Sequence, residues 1–126
     1  MKQTMVRQGD VLLVPIASSA AMGELVPAEQ SSSLQALQNE HGGIALAEGE
    51  TSGHHHGVFG KGARLMQYRD STVRVVVVAK AGAEMRVVGG GSGGVDRHTP
   101  IALVPGSYEV RIQRAYSAGM SRRVAD

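Results

Sequence analysis

Residues 72–80 read Thr-Val-Arg-Val-Val-Val-Val-Ala-Lys, and this valine run decides the class of fold. In an extended chain Val73, Val75 and Val77 face one side, while Arg74, Val76 and Val78 face the other, so both faces carry valine. Such a pattern is typical of a central strand in a sheet that is covered on both faces. Residues 64–68 precede the run across Arg69-Asp70-Ser71, so the two stretches are predicted to form a hairpin.

Other apolar stretches of strand length are bounded by Gly, Pro or Asp. They are residues 11–14, 44–47, 84–88, 101–104 and 108–113. In the last stretch Tyr108, Val110 and Ile112 alternate with polar residues, which predicts an inward and an outward face. About seven short strands separated by turns predict a mostly β fold, either a small β-barrel or a β-sandwich.

One helix is predicted, within residues 27–41. Ser32 and Gln35 match a capping box, and Gly42-Gly43 can end the helix. Only two leucines supply an apolar stripe, so the helix is expected to be short and on the surface. The alternative is that residues 17–43 form a polar insertion loop.

The length of 126 residues suits one aliphatic core. We predict a single β domain over residues 1–114 and a C-terminal arm over residues 115–126. The arm is either a frayed terminus or a segment that orders against a neighbouring subunit. Because no apolar stretch reaches the roughly 18 residues of a membrane span, a cytoplasmic protein without membrane contact is expected.

Composition excludes several kinds of chemistry. The chain has no Cys, which excludes disulfides, thiolate metal sites and Cys nucleophiles. It lacks a Gly-x-Ser-x-Gly elbow, and Gly60-Lys61-Gly62 lacks the spacing and hydroxyl residue of a phosphate loop. No catalytic or cofactor-binding residue is therefore predicted, and a non-enzymatic protein is favoured over an enzyme.

The basic residues are scattered along the chain, and its formal net charge is +2. A nucleic-acid interface would gather basic residues beside stacking aromatics, whereas this chain has one Phe, three Tyr and no Trp. A solvated surface is the preferred interpretation. A nucleic-acid-binding β-barrel ranks third among the functional hypotheses.

The histidine cluster His54-His55-His56 is the sharpest chemical feature of the sequence. On a strand His54 and His56 share one face, and the histidine between them faces the other. The pair could bind a divalent transition metal (Zn, Ni, Cu or Fe), with His98 as the third ligand. The preferred alternative is a structural contact between strands or subunits. His41, at the end of the predicted helix, is expected only to complement the helix dipole.

The run Gly49–His56, with His98 and Pro105-Gly106 later in the chain, resembles the two metal-binding motifs of the cupin superfamily. That resemblance implies a β-barrel in which His54, His56 and His98 are the ligands. The sequence departs from the cupin pattern because residues 57–61 contain no Glu and because His98 precedes the Pro-Gly turn.

More of the chain resembles a group of short β proteins from bacteria and their tailed phages. The matching stretches are Gln8-Gly9-Asp10-Val11, residues 49–56, His98-Thr99-Pro100-Ile101, residues 105–110, Gln113-Arg114 and residues 122–126. The resemblance implies a fold and a phage setting. The leading hypothesis is therefore a homo-oligomer, such as a trimer, that acts through protein–protein contacts. Its partner would be a major capsid protein that it decorates, which would place it in the virion.

Overall fold

The alternating apolar stretches form antiparallel strands in a computed structural model, which describes residues 2–17, 24–48, 54–89, 99–117 and 120–123. The strands are β1 (Val6–Gln8), β2 (Val11–Ile16), β3 (Leu25–Pro27), β4 (Ile44–Glu48), β5 (His54–Phe59), β6 (Ala63–Tyr68), β7 (Arg74–Val78), β8 (Ala83–Gly89), β9 (Ile101–Leu103), β10 (Gly106–Ile112), β11 (Arg114–Ser117) and β12 (Met120–Arg123). The helix of the described ranges is α1 (Ser32–His41).

The strands form two main sheets and one ribbon. The first sheet has six strands in the order β1-β2-β10-β7-β6-β3, and the second has four in the order β4-β5-β8-β9. Strands β11 and β12 pair with each other as a separate two-stranded sheet. The mostly β prediction is confirmed. The two main sheets are open and sandwich-like, so the closed-barrel alternative is wrong.

The hydrophobic core contains apolar side chains from both main sheets. The first sheet contributes Val11, Leu13, Val76, Val78 and Tyr108, and the second contributes Leu46, Ala47, Val58, Met85 and Leu103. These residues are aliphatic apart from Tyr108, whose hydroxyl donates a hydrogen bond to the Val104 carbonyl oxygen at 2.5 Å. A buried tyrosine is thus satisfied within the fold.

The valine run forms β7, between β6 and β10 in the six-stranded sheet. Val75 and Val76, which face opposite sides of the strand, are both 0% exposed. The prediction of a central strand that is covered on both faces is therefore confirmed. The predicted hairpin is also present, and Asp70 in its turn has a φ of 58°.

Helix α1 begins one residue away from the predicted cap. Ser31, not Ser32, is the N-cap, and its hydroxyl accepts a hydrogen bond from the Leu34 amide at 3.3 Å. The third residue after Ser31 is Leu34, so the reciprocal Gln contact of a capping box is absent here. The helix ends as predicted at Gly42, whose φ is 79° and whose amide donates to the Gln38 carbonyl oxygen at 2.8 Å.

The described strands include two that the sequence pattern did not predict, β1 and β3, and each is only three residues long. The strand predicted at residues 101–104 is present as β9, which also has three residues. The predicted C-terminal arm contains β11 and β12, which form a hairpin that starts two residues after the end of β10. Among the described residues, no helix is both long and apolar enough to cross a membrane.

Candidate functional site

The three consecutive histidines begin strand β5, which lies between β4 and β8. Because side chains alternate along a strand, His56 and Val58 face the core while His55 faces the opposite side. His55 is 0% exposed and His56 is 2% exposed, so both rings lie inside the protein. The rings of His55 and His56 are therefore buried in two different environments, on opposite sides of β5.

On the core side, His56 meets two polar residues of the six-stranded sheet. Its Nδ1 lies 3.4 Å from Gln8 Oε1, and its Nε2 lies 3.9 Å from Asp10 Oδ1. Gln8 and Asp10 are 2% and 1% exposed. The contact thus joins β5 to the β1–β2 hairpin, across the two sheets.

The hydrogen bonds of Gln8 fix which ring nitrogen of His56 carries hydrogen. Gln8 Nε2 donates to the carbonyl oxygens of Thr99 at 3.2 Å and Met85 at 3.4 Å. The other amide atom, Oε1, can only accept, so His56 Nδ1 is the donor of their contact. In the neutral imidazole, Nε2 then presents its lone pair on the side of the Asp10 carboxylate.

The position of Asp10 follows from a tight turn. Gly9 has a φ of 59° at the first central position of the β1–β2 hairpin, where glycine is favoured because it lacks a Cβ. The next residue is Asp10, whose carbonyl oxygen accepts a hydrogen bond from the Gln113 amide at 2.7 Å. In the sequence, Gln8-Gly9-Asp10 was noted only as part of a family resemblance, and neither Gln8 nor Asp10 was assigned a role in the site. The feature that could have identified the site was the acidic residue Asp10 within the turn.

On the other side of β5, His55 packs against the end of helix α1. The ring centroids of His41 and His55 are 5.2 Å apart, with an interplanar angle of 45°. His41 thus has a contact beyond the predicted dipole role. Neither ring nitrogen of His55 makes a hydrogen bond in the part of the chain that the structure describes. Burial lowers the pKa of His55, and the nearby His41 and His56 lower it further, while Glu40 opposes the shift.

A bulge in β4 sets the register beside the histidines. Ala45 pairs with Gly57 and Ala47 pairs with His56, so Leu46 has no partner residue on β5. The Leu46 carbonyl oxygen instead accepts a hydrogen bond from Arg74 Nη2 at 2.7 Å. Bulges of this kind bend a strand and re-aim its side chains.

The predicted metal ligands have different outcomes in the structure. His54 and His56 lie on the same face of β5, and Nδ1 of His54 is buried without a hydrogen bond in the described ranges. His98 lies outside the described residues. Within those residues, no three His, Asp or Glu side chains converge closely enough to hold a metal ion. The residues brought together are His56, Asp10 and Gln8.

The fold and site define a class of protein: an open antiparallel β-sandwich with a buried polar cluster between its sheets. The chain belongs to the family described as domain of unknown function DUF8820, whose model matches residues 7–113. That range includes the whole described site and ends before the β11–β12 ribbon. No curated protein and no solved structure matches the chain.

Proposed function

We propose that this domain is a non-enzymatic binding protein that holds one divalent transition-metal ion between its sheets, with His56 and Asp10 as two of its ligands. The observation that carries the proposal is the approach of His56 Nε2 to Asp10 Oδ1, at 3.9 Å in a buried setting. An imidazole and a carboxylate are common partners of Zn, Ni, Cu and Fe.

The distance supports two ligands of one ion. Donor atoms about 2.0–2.1 Å from a tetrahedral zinc ion are roughly 3.4 Å apart. The observed 3.9 Å requires the two side chains to close by about half an ångström. Gln8 supports the same role, because an acceptor on His56 Nδ1 leaves Nε2 as the metal-binding nitrogen.

His98 is the proposed third ligand. Its neighbour Thr99 receives a hydrogen bond from Gln8, the residue that also contacts His56. Adjacent residues have Cα atoms only about 3.8 Å apart, so chain connectivity supports the assignment. His54 shares the face of His56, but within the described ranges it does not converge with His56 and Asp10, so the role of His54 as a ligand stays a prediction.

The test is metal analysis of untagged protein, followed by Co²⁺ titration read from its visible absorption. We expect one equivalent of metal, lost in His56→Ala and His98→Ala and bound at least tenfold more weakly in Asp10→Asn. His55→Ala is the matched control, because that ring faces away from Asp10, and it should bind normally. Metal-free protein without a saturable Co²⁺ spectrum would refute the proposal, as would equal losses in His55→Ala and His56→Ala. The near-isosteric Asp10→Asn variant separates ligand loss from misfolding.

A second function is favoured by the β11–β12 ribbon. We propose that the chain assembles as a homo-oligomer through this ribbon and decorates a tailed-phage capsid in that form. A lone two-stranded hairpin is marginally stable in water, so packing against another surface would stabilise it. The family match ends at residue 113, which supports a ribbon that is separate from the domain.

Native mass spectrometry of the full chain and of a chain ending at Gln113 tests the assembly. We expect an oligomer, such as a trimer, that becomes monomeric without the ribbon. Co-sedimentation of the full chain with capsid shells then tests the partner. A monomeric full chain would refute the assembly, and failure to bind shells would refute the capsid role alone.

A further inference from the structure

A cavity of about 290 Å³ lies beside helix α1, and neither Asp10 nor His56 is among its lining residues. Four of its lining residues are apolar: Leu34, Leu46, Ala47 and Ile112. Two are charged, Arg74 and Glu48. The volume is at the lower end of ligand pockets, about 300–1,000 Å³, so the cavity suits a small molecule.

Arg74 carries a positive charge into this cavity without a matching anion. Its Nη1 donates to Gln30 Oε1 at 3.0 Å and its Nη2 to the Leu46 carbonyl oxygen at 2.7 Å, and both acceptors are neutral. No carboxylate in the described ranges forms an ion pair with this guanidinium. Burial lowers the pKa of Arg74, which reflects the uncompensated charge.

A guanidinium has five N–H donors, and these two contacts use only part of that capacity. A partly buried cation without a counter-ion is costly, and a bound carboxylate would offset that cost. The guanidinium also forms a planar fork that matches a carboxylate. The anion would meet Arg74, and an attached aliphatic chain would cover Leu34 and Ile112.

We propose that this cavity binds a small aliphatic carboxylate, with Arg74 holding the carboxylate and the apolar lining holding the chain. Glu48 lies at the exposed end of β4 and faces the same cavity. Its negative charge opposes an anion and limits the affinity. The opposing structural explanation is that Arg74 serves only to satisfy the bulged Leu46 carbonyl. In that case the charge of Glu48 would not affect the binding of an anion, whereas in our proposal it weakens that binding.

The test is titration of the full chain with hexanoate, followed by amide chemical shifts in NMR. Hexanol and hexylamine are matched probes without the negative charge. We expect saturable shifts around the cavity with hexanoate, and at least tenfold weaker binding of the other two. Arg74→Gln should weaken hexanoate binding at least tenfold.

Glu48→Gln provides the readout that a purely structural role of Arg74 would not change. The side chain is exposed, so the substitution should leave the fold intact. Removing one solvent-exposed repulsion should tighten hexanoate binding by about two- to fivefold, the size of a surface charge pair. Absent saturation, equal binding of hexanol, or unchanged affinity in Glu48→Gln would each overturn the proposal. None of these outcomes depends on metal binding at Asp10 and His56.

Discussion

Replacement of His55 by leucine should stabilise the fold. The His55 ring is 0% exposed and neither of its nitrogens makes a hydrogen bond within the described ranges. A buried polar group left unpaired costs about 1–3 kcal/mol, which leucine would relieve. The substitution also loses the ring contact with His41, worth about 0.5–1 kcal/mol. The net gain at pH 7.5 should be ~1 kcal/mol, or a rise in Tm of ~4 °C for a chain of this length.

The stability of the protein should also depend on the His55 proton. Burial lowers the pKa of His55, so the unfolded chain takes up a proton near pH 6.5 that the folded protein resists. The free energy of unfolding is therefore not reduced by His55 protonation above pH 6.5, and it falls as the pH is lowered from 6.5 toward the folded pKa of His55. The slope from this one group is at most about 1.4 kcal/mol per pH unit. His55→Leu should remove that share of the pH dependence.

The measurement is urea unfolding of wild type and His55→Leu between pH 5 and 8 (roughly the range in which histidine titrates), in EDTA so that metal binding does not contribute. His41→Ala is the control, because it removes the ring contact without relieving the buried nitrogens. It should be neutral or slightly destabilising at pH 7.5. If His55→Leu loses more than ~1 kcal/mol there, the imidazole has a satisfied role and the reasoning is wrong.

Two further predictions concern the end of helix α1 and the core tyrosine. Gly42 and Gly43 both have positive φ, but a Cβ at Gly43 would lie 2.5 Å from Phe59 Cδ2 while one at Gly42 meets nothing within 4 Å. Gly42→Ala should cost ~1 kcal/mol in chemical denaturation, and Gly43→Ala should cost clearly more; equal costs would contradict the clash. Tyr108→Phe removes the hydrogen bond to Val104 and should cost ~1 kcal/mol in the same assay, and no loss would show that the bond contributes nothing.

The strands that could be predicted from sequence are those with a strong local pattern. The valine run and residues 108–113 each extend over at least six positions, long enough for burial and alternation to be recognised. β1 and β3 have three residues each, too few for a period of two to stand out. Their pairing depends on neighbouring strands that already exist, so the information lies in the tertiary structure.

The helix start was missed for a different reason. Residues 31–33 are three consecutive serines, and each can act as an N-cap. The choice of Ser31 depends on where the chain leaves β3 and how Gln30 docks. Gln30 Nε2 donates to the Ala45 carbonyl oxygen at 2.6 Å and to Gln38 Oε1 at 2.7 Å. Those contacts join the helix to β4, and they cannot be predicted from the helix propensities of the residues.

The candidate site was only half predictable. Strand parity separates His56 from His55, and the environments of the two rings in the structure differ accordingly. Asp10 was not predictable as a neighbour of His56, because the two residues are 46 positions apart in the sequence and their contact requires the β1–β2 hairpin to meet the second sheet. The role of His98 stays a prediction.

The two faces of β5 explain why one histidine triplet supports two separate experiments. His56 connects the second sheet to Asp10 and Gln8 of the first, so an ion bound there would cross-link the sandwich at its β1–β2 turn. His55 has no such link and only fills space beneath α1, at the cost of unpaired nitrogens. A metal ion that binds only the folded protein adds to its stability. His56 would therefore stabilise the fold by binding the ion. His55 contributes to the fold only by packing. When metal is present, His55→Leu should therefore raise the stability of the fold, whereas His56→Ala should lower it.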